Sequence, residues 1–81
     1  MQAEQLRPLI RRDTFQPFRL FLKDGRIFDL PQFGLMLVFK TYVKVGIKAP
    51  NEPRPIIEHT VRVPLELIDR VEMLPPTAVA R

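Results

Sequence analysis

An Asp-Gly pair at positions 24 and 25 lies between two segments in which apolar and polar residues alternate. The segments are residues 18–23 and 26–30. A period of two is typical of half-buried β-strands, and Asp-Gly accepts the positive φ angles that a type I′ turn needs at both central residues. The sequence therefore predicts a β-hairpin centred on Asp24 and Gly25, within a small antiparallel β domain.

The chain length bounds the size of this domain. An 81-residue chain is long enough for one domain. Such a chain hides only about 60–65% of its unfolded surface, so its core is small. Two prolines follow the last apolar segment. We expect a single domain over residues 1–76 and a disordered tail over residues 77–81.

The residue types that are missing exclude several kinds of chemistry. The chain has no cysteine and one histidine, and the sequence contains no serine, so serine and cysteine nucleophiles and the usual zinc sites are excluded. The three glycines are isolated, so no phosphate-binding glycine loop exists. We expect no enzymatic activity, no metal and no cofactor.

Composition also indicates a location. The first residues are polar, unlike a signal peptide, and the most apolar run, residues 35–39, is far shorter than a membrane span. A chain without cysteine suits a reducing compartment. We expect a cytoplasmic protein with no membrane partner and no small-molecule substrate.

A short amphipathic helix is predicted near the N-terminus, over about residues 4–12. Leu6, Leu9 and Ile10 form one apolar stripe at helical spacing, although Pro8 is tolerated only in a first turn. The helix is expected to cap one opening of the β domain. The alternative is a helix that binds a membrane or a partner.

Residues 35–48 form a second β region. Its outward positions are expected to be Lys40, Tyr42, Lys44, Gly46 and Lys48, and its inward positions Thr41, Val43, Val45 and Ile47. A single bent strand is one interpretation. A turn near Lys40 and Thr41 that splits the region into two strands is the other.

The rest of the sequence predicts a loop and two strands that are joined by a tight turn. Residues 49–55 contain three prolines and are expected to form a loop. Residues 56–63 and 68–74 read as strands, joined by a tight turn or 3₁₀ segment at residues 64–67. His59 lies on the apolar face of its strand, so we expect it to be buried or half-buried.

This order of elements is similar to that of a known fold. The hairpin at residues 22–26, the strand at residues 43–45 and the segment at residues 63–71 match the order found in the Sm-like fold. That fold is the strongly bent five-stranded barrel of Sm and LSm proteins and of the bacterial RNA chaperone Hfq. The resemblance implies a small, strongly bent, SH3- or Sm-like antiparallel barrel with one short N-terminal helix.

A more detailed resemblance concerns two local patterns. Residues 17–28 read Pro-Phe-Arg-x-x-Leu-x-Asp-Gly-Arg-x-Phe, and residues 63–72 read Val-Pro-x-x-x-Ile-x-Arg-Val-Glu. Both patterns resemble those of small uncharacterised bacterial proteins, which supply no function. The polar Lys-His segment that contacts RNA in Hfq has no equivalent at residues 61–65, so the resemblance implies the barrel without that RNA site.

Two surfaces are candidates for binding. A stripe of Lys40, Tyr42, Lys44 and Lys48 carries cations at about the spacing of phosphates in a nucleic-acid strand, with a ring for stacking. The alternative is a solvated face whose lysines prevent edge association. Basic residues of the hairpin either extend the stripe or pair with Asp24 and Asp29; these residues are Arg19 and Arg26.

The second candidate is an oligomer interface. Phe33, Met36 and Val38 belong to a run that is apolar on both faces, and Met36 and Val38 are assigned to its outer face. Either another subunit or the N-terminal helix would cover them. The favoured function is a non-enzymatic interaction or assembly module that forms a homo-oligomer. The alternative is an RNA- or DNA-binding module that uses the lysine stripe.

Overall fold

A computed structural model of the chain describes residues 1–49 and 56–75. Most of the predicted loop at residues 49–55 and the whole predicted tail at residues 77–81 lie outside these ranges. The predicted domain limits therefore stay predictions.

The described residues form two three-stranded antiparallel sheets and one short α-helix. The first sheet has the strand order β2-β1-β6 and the second sheet β3-β4-β5. A mainly β chain with one short N-terminal helix is thus confirmed. The elements are α1 Ala3–Leu6, a 3₁₀ turn Arg7–Ile10, β1 Phe18–Leu22, β2 Ile27–Leu30, β3 Met36–Val38, β4 Tyr42–Lys48, β5 Ile57–Pro64, a 3₁₀ turn Leu65–Leu67 and β6 Ile68–Met73.

The hairpin of β1 and β2 is present, but its turn differs from the predicted type I′ turn. The Gly25 amide donates to the Leu22 carbonyl at 3.0 Å, and the Leu22 amide donates to the Arg26 carbonyl at 2.9 Å. Lys23 and Asp24 are therefore the central turn residues, and Gly25, with φ of 95°, follows them. Such a three-residue loop joins a turn to a glycine bulge.

The N-terminal helix is shorter than the predicted span of residues 4–12. Four residues, Ala3–Leu6, are α-helical, and the chain then tightens into a 3₁₀ turn that has Pro8 near its start. Proline lacks the amide hydrogen that a continued α-helix would use, so the change of helix type begins where Pro8 enters. Leu6 is fully buried, and it anchors the helix to the core.

Residues 35–48 form two strands, as in the second interpretation of this region. Lys40 and Thr41 form a bend between β3 and β4, and the Phe39 amide donates to the Tyr42 carbonyl at 2.8 Å. Met36 pairs with Val45 and Val38 with Val43, whose side chains point into the core.

The predicted outward orientation of Met36 and Val38 is therefore wrong. Directly paired residues share a sheet face, so Met36 and Val38 point inward with Val45 and Val43. Met36 is only 4% exposed and Val38 is half-buried, whereas Leu37 between them is 58% exposed.

The core lies between the two sheets and under α1. β1 alternates between buried and half-buried residues, and it pairs with β2 on one side and β6 on the other. The largest fully buried side chains are Phe18, Leu6, Leu20, Leu30, Ile68, Val43, Val45 and Val63. In the ranges that the structure describes, no helix is both long and apolar enough to cross a membrane.

β5 extends beyond the body of the molecule. Residues 57–60 are all exposed, and only Val63 in this strand is buried. The prediction that His59 is buried is wrong, because its side chain is 57% exposed. Apolar residues continue to alternate along the first half of β5, where the first sheet no longer covers the strand.

Candidate binding face and free strand edge

The outer face of the second sheet gathers three cations and a ring. Tyr42, Lys44 and Lys48 alternate along β4 with the buried residues of that strand, which directs them to the outer side. Arg62 of β5 pairs directly with Lys44, and paired residues share a face. We call Tyr42, Lys44, Lys48 and Arg62 the cationic face.

The ring of Tyr42 is covered by two neighbours. Phe39 stacks against it with 4.7 Å between ring centroids and 16° between planes. The guanidinium carbon of Arg62 lies 4.3 Å from the Tyr42 centroid. Phe39 approaches from the β3 side and Arg62 from the β5 side, so Tyr42 holds its neighbours in place and has little open ring surface for a base.

A shallow apolar groove of about 120 Å³ crosses the same sheet above Gly46. Leu37, Ile57 and Thr60 contribute to its walls, together with Lys44. A Cβ atom at Gly46 would lie 2.8 Å from the Ile57 Cδ1 atom, so only glycine lets Ile57 lie this close to β4. The groove therefore depends on a glycine in the middle of a strand.

Lys40 does not belong to the cationic face. It lies in the bend between β3 and β4, beside an open groove that runs between α1 and the segment at Pro64 and Leu65. The predicted stripe of four residues along one strand is thus reduced to Tyr42, Lys44 and Lys48. Arg62, which is distant in sequence, takes a place beside them.

Arg19 and Arg26 lie on the first sheet and its hairpin, and both are paired. Arg19 donates two hydrogen bonds to the Asp29 carboxylate, at 2.6 and 3.2 Å, and these bonds raise the pKa of the guanidinium. Arg26 donates to Asp24 at 2.9 Å. The alternative in which they pair with Asp29 and Asp24 is the one found.

The Asp24 carboxylate also fixes the hairpin turn. It accepts a hydrogen bond from the Arg26 backbone amide at 3.0 Å. This bond is the main cause of a pKa below the usual value for Asp24, with the Arg26 guanidinium adding to it.

Of the three predicted interface residues, Phe33 is the most accessible. It is 41% exposed, with Phe15 at its edge and the Arg12 guanidinium 5.3 Å from its centroid. Met36 is in the core and Val38 is half-buried. Sequence reasoning missed the exposed apolar residues Leu37 and Ile57. Each has an apolar neighbour in the chain, so alternation does not show which of the two side chains points inward.

β5 has one unpaired edge. No other described strand pairs with β5 on the side away from β4. The Gly46 amide donates to the Leu35 carbonyl, so the even-numbered residues of β4 direct their backbone groups to β3. The odd-numbered residues of β4 then face β5, where they pair with His59, Val61 and Val63.

This alternation identifies the unpaired backbone groups. In an antiparallel ladder, the residues between the hydrogen-bonded pairs direct their amide and carbonyl groups to the opposite edge. In β5 these residues are Thr60 and Arg62, and no backbone hydrogen bond among the described residues engages them. An exposed edge of this kind is a template for another strand.

No group of three or more His, Cys, Asp or Glu residues among the described residues could hold a metal ion, and none of the described charged or polar residues is buried. No family model matches the chain, and comparison with curated proteins and with solved structures also found no match.

Proposed function

We propose that this protein is a non-enzymatic assembly module that self-associates. The observation that carries the proposal is the edge of β5 with which no described strand pairs; β5 is an eight-residue strand with exposed residues along its first half. Natural proteins usually shorten, bend or cover such edges. Between the bulge at Glu58 and Pro64, the free backbone groups of Thr60 and Arg62 are suited to pairing with another strand.

The proposed architecture is a strongly bent SH3- or Sm-like barrel in a cytoplasmic protein. The element order supports this architecture, as does the pairing of β1 with β6, which joins the start and end of the described strands. The 3₁₀ turn Leu65–Leu67 links β5 of one sheet to β6 of the other. A chain without cysteine fits a reducing compartment.

Self-association is tested by the mass in solution. Sedimentation velocity from low micromolar to near-millimolar concentration should show a species heavier than the 9.5 kDa subunit. Because binding follows mass action, the heavier fraction should grow with concentration. A 9.5 kDa species at every concentration would refute the proposal.

Binding of single-stranded RNA or DNA is a second candidate function. It is favoured by the cationic face, on which Lys44 and Arg62 are direct cross-strand neighbours and no ion pair among the described residues involves either of them. Two like charges held side by side favour an anionic ligand. The covered ring of Tyr42 weighs against base stacking on it.

Nucleic-acid binding is tested with a matched pair of variants. K44A/K48A should weaken binding of a labelled single strand, and the affinity of the parent should fall as salt rises, with a log–log slope of about −0.7 per phosphate contacted. K40A is the control, because Lys40 lies off the cationic face. Equal binding by K44A/K48A and the parent would exclude this face.

A further inference from the structure

We infer that the outer face of the second sheet binds an extended acidic segment of a partner protein. An aliphatic side chain of this segment enters the groove above Gly46, and acidic side chains two residues before and after it meet Lys44 and Lys48. The inference goes beyond the proposed self-association, because it concerns the face of the sheet and not the edge of β5.

The groove above Gly46 has room for one aliphatic side chain. Its volume is about 120 Å³. An apolar cavity of about 150 Å³ accepts a molecule of the size of benzene. Two of its walls are Leu37 of β3 and Ile57 of β5, which are 58% and 43% exposed, so an apolar group that covers them removes aliphatic surface from water. These walls lie on opposite sides of β4, so a segment that fills the groove runs along β4.

Cations flank the groove along β4. Lys44 and Lys48 lie two residues before and after Gly46 in the alternation of this strand. An extended segment advances about 6.6–6.8 Å in two residues, so its alternate side chains match the spacing of these three positions. The register shift near Lys48 leaves this order intact, because the extra residue, Glu58, belongs to β5. Ile47 packs against the core, which directs its neighbour Lys48 outward.

Arg62 places a second cation beside Lys44. The two residues are direct cross-strand neighbours, and no ion pair among the described residues involves either of them. The guanidinium carbon of Arg62 lies 4.3 Å from the Tyr42 centroid, which limits the freedom of the Arg62 side chain before a ligand arrives. A carboxylate between Lys44 and Arg62 would relieve the repulsion of two like charges.

The required pattern identifies the kind of partner. It has two acidic residues four positions apart, with an aliphatic residue midway between them. No two Asp or Glu residues in the 81-residue sequence are four positions apart, which points to a segment of another protein. A nucleic acid fits this face less well, because the groove has aliphatic walls and the Tyr42 ring is covered.

The groove is tested with two capped peptides of identical composition, in NMR titrations of the full chain. The probe is Thr-Glu-Thr-Leu-Thr-Glu-Thr. Its isomer Thr-Glu-Leu-Thr-Thr-Glu-Thr turns the leucine to the opposite side of an extended peptide. The probe should shift the amide signals of Lys44, Gly46 and Thr60, and it should bind at least about fivefold more tightly than the isomer. Equal binding by the two peptides, or no shift of these signals at millimolar probe, would overturn the inference.

The cations are tested by exchanging charges. K44E/K48E should bind the probe at least about fivefold more weakly than the parent. It should instead prefer a peptide in which lysines replace both glutamates of the probe. K23E/K40E is the matched control, because it has the same net charge and both of its substitutions lie off the cationic face. An equal loss of probe binding in K23E/K40E would show that net charge alone attracts the peptide, which would refute the site.

A further pair of variants tests the aliphatic wall. L37S removes Leu37 from the groove, whereas I27S removes an apolar residue of similar exposure, 53%, from the first sheet. L37S should weaken probe binding about threefold or more, and I27S should leave it within about twofold of the parent. Equal effects of the two substitutions would contradict anchoring in the groove.

A labelled single-stranded oligonucleotide separates this inference from nucleic-acid binding. If the oligonucleotide loses affinity in K44E/K48E and the probe does not bind the parent, the inference is overturned and the second candidate function stands. If the chain self-associates without binding the probe, self-association stands and the inference fails. Probe binding by a chain that stays monomeric would support the inference and refute self-association.

Discussion

Ile57 packs against Gly46 so closely that a Cβ atom on Gly46 would meet the Ile57 Cδ1 atom at 2.8 Å. We expect Gly46→Val to destabilise the fold by about 0.5–1.5 kcal/mol, because Ile57, which is 43% exposed, must leave its present rotamer to make room. Urea unfolding measures this loss in free energy of unfolding.

The matched control is the double variant Gly46→Val with Ile57→Ala. Removing the Ile57 side chain relieves the collision, so the cost of the valine should fall by more than half in this background. If the cost of Gly46→Val is the same in both backgrounds, the contact with Ile57 is not its cause.

Gly25 adopts φ of 95°, and no heavy atom outside residues 24–26 lies within 4 Å of the point that a Cβ atom would occupy. Glycine is therefore needed at this position because of its positive φ angle, and not because a side chain would collide with its surroundings. Gly25→Ala should reduce the free energy of unfolding by about 1–2 kcal/mol. Gly25→Asn should lose less, since asparagine tolerates this region better. Equal stability of Gly25→Ala and the parent in urea would contradict the turn geometry.

Asp24 makes the hairpin sensitive to acid. Hydrogen bonds from Arg26 lower the pKa of Asp24 below its usual 3.8, so the folded state favours the ionised carboxylate. The resulting stabilisation is present above pH 3.8 and is lost as pH falls through the lower folded-state pKa. Asp24→Ala should therefore be less stable than the parent near neutral pH.

The pH series also provides the control for Asp24. The difference in unfolding free energy between the parent and Asp24→Ala should shrink as pH falls below 3.8. A difference that stays constant down to strongly acidic pH would show that the charge of Asp24 is not responsible.

Met36 and Leu37 are adjacent but have opposite environments. Met36 is 4% exposed and Leu37 is 58% exposed. Met36→Ala should cost about 2–5 kcal/mol of stability, because it leaves a cavity in the core. Leu37→Ala should change stability by less than about 0.5 kcal/mol. Similar losses in both variants, measured by urea unfolding, would contradict the orientation of β3.

The local features of the fold were predictable, and the position of the hairpin is the clearest case. Asp24 and Gly25 are turn formers between alternating segments, so neighbouring residues determine the reversal. The bend at Lys40 and Thr41 has neither glycine nor proline, and its residues also suit a strand. The split into β3 and β4 therefore could not be assigned from the sequence.

The side of the sheet that a residue faces, and the set of residues that form the candidate site, depend on contacts between residues that lie far apart in the chain. Met36 has apolar neighbours on both sides, so alternation alone does not say which side is inward. Arg62 joins Tyr42 only because β4 and β5 pair, and His59 is exposed because β5 extends past its cover. The outward direction of Tyr42 and the lysines within β4 was predictable, because one strand sets that alternation.

The pairing of Phe18 with Met73 has a consequence for folding kinetics. β1 and β2 are joined by a short loop and can pair early. The other neighbour of β1 is β6, which is synthesised much later, so the first sheet stays incomplete until β6 leaves the ribosome. Closing so long a loop carries an entropic cost, and contacts between residues far apart in the chain slow the folding of small domains. Until translation of that segment is finished, the nascent chain exposes one backbone edge of β1 that is open to pairing with other strands.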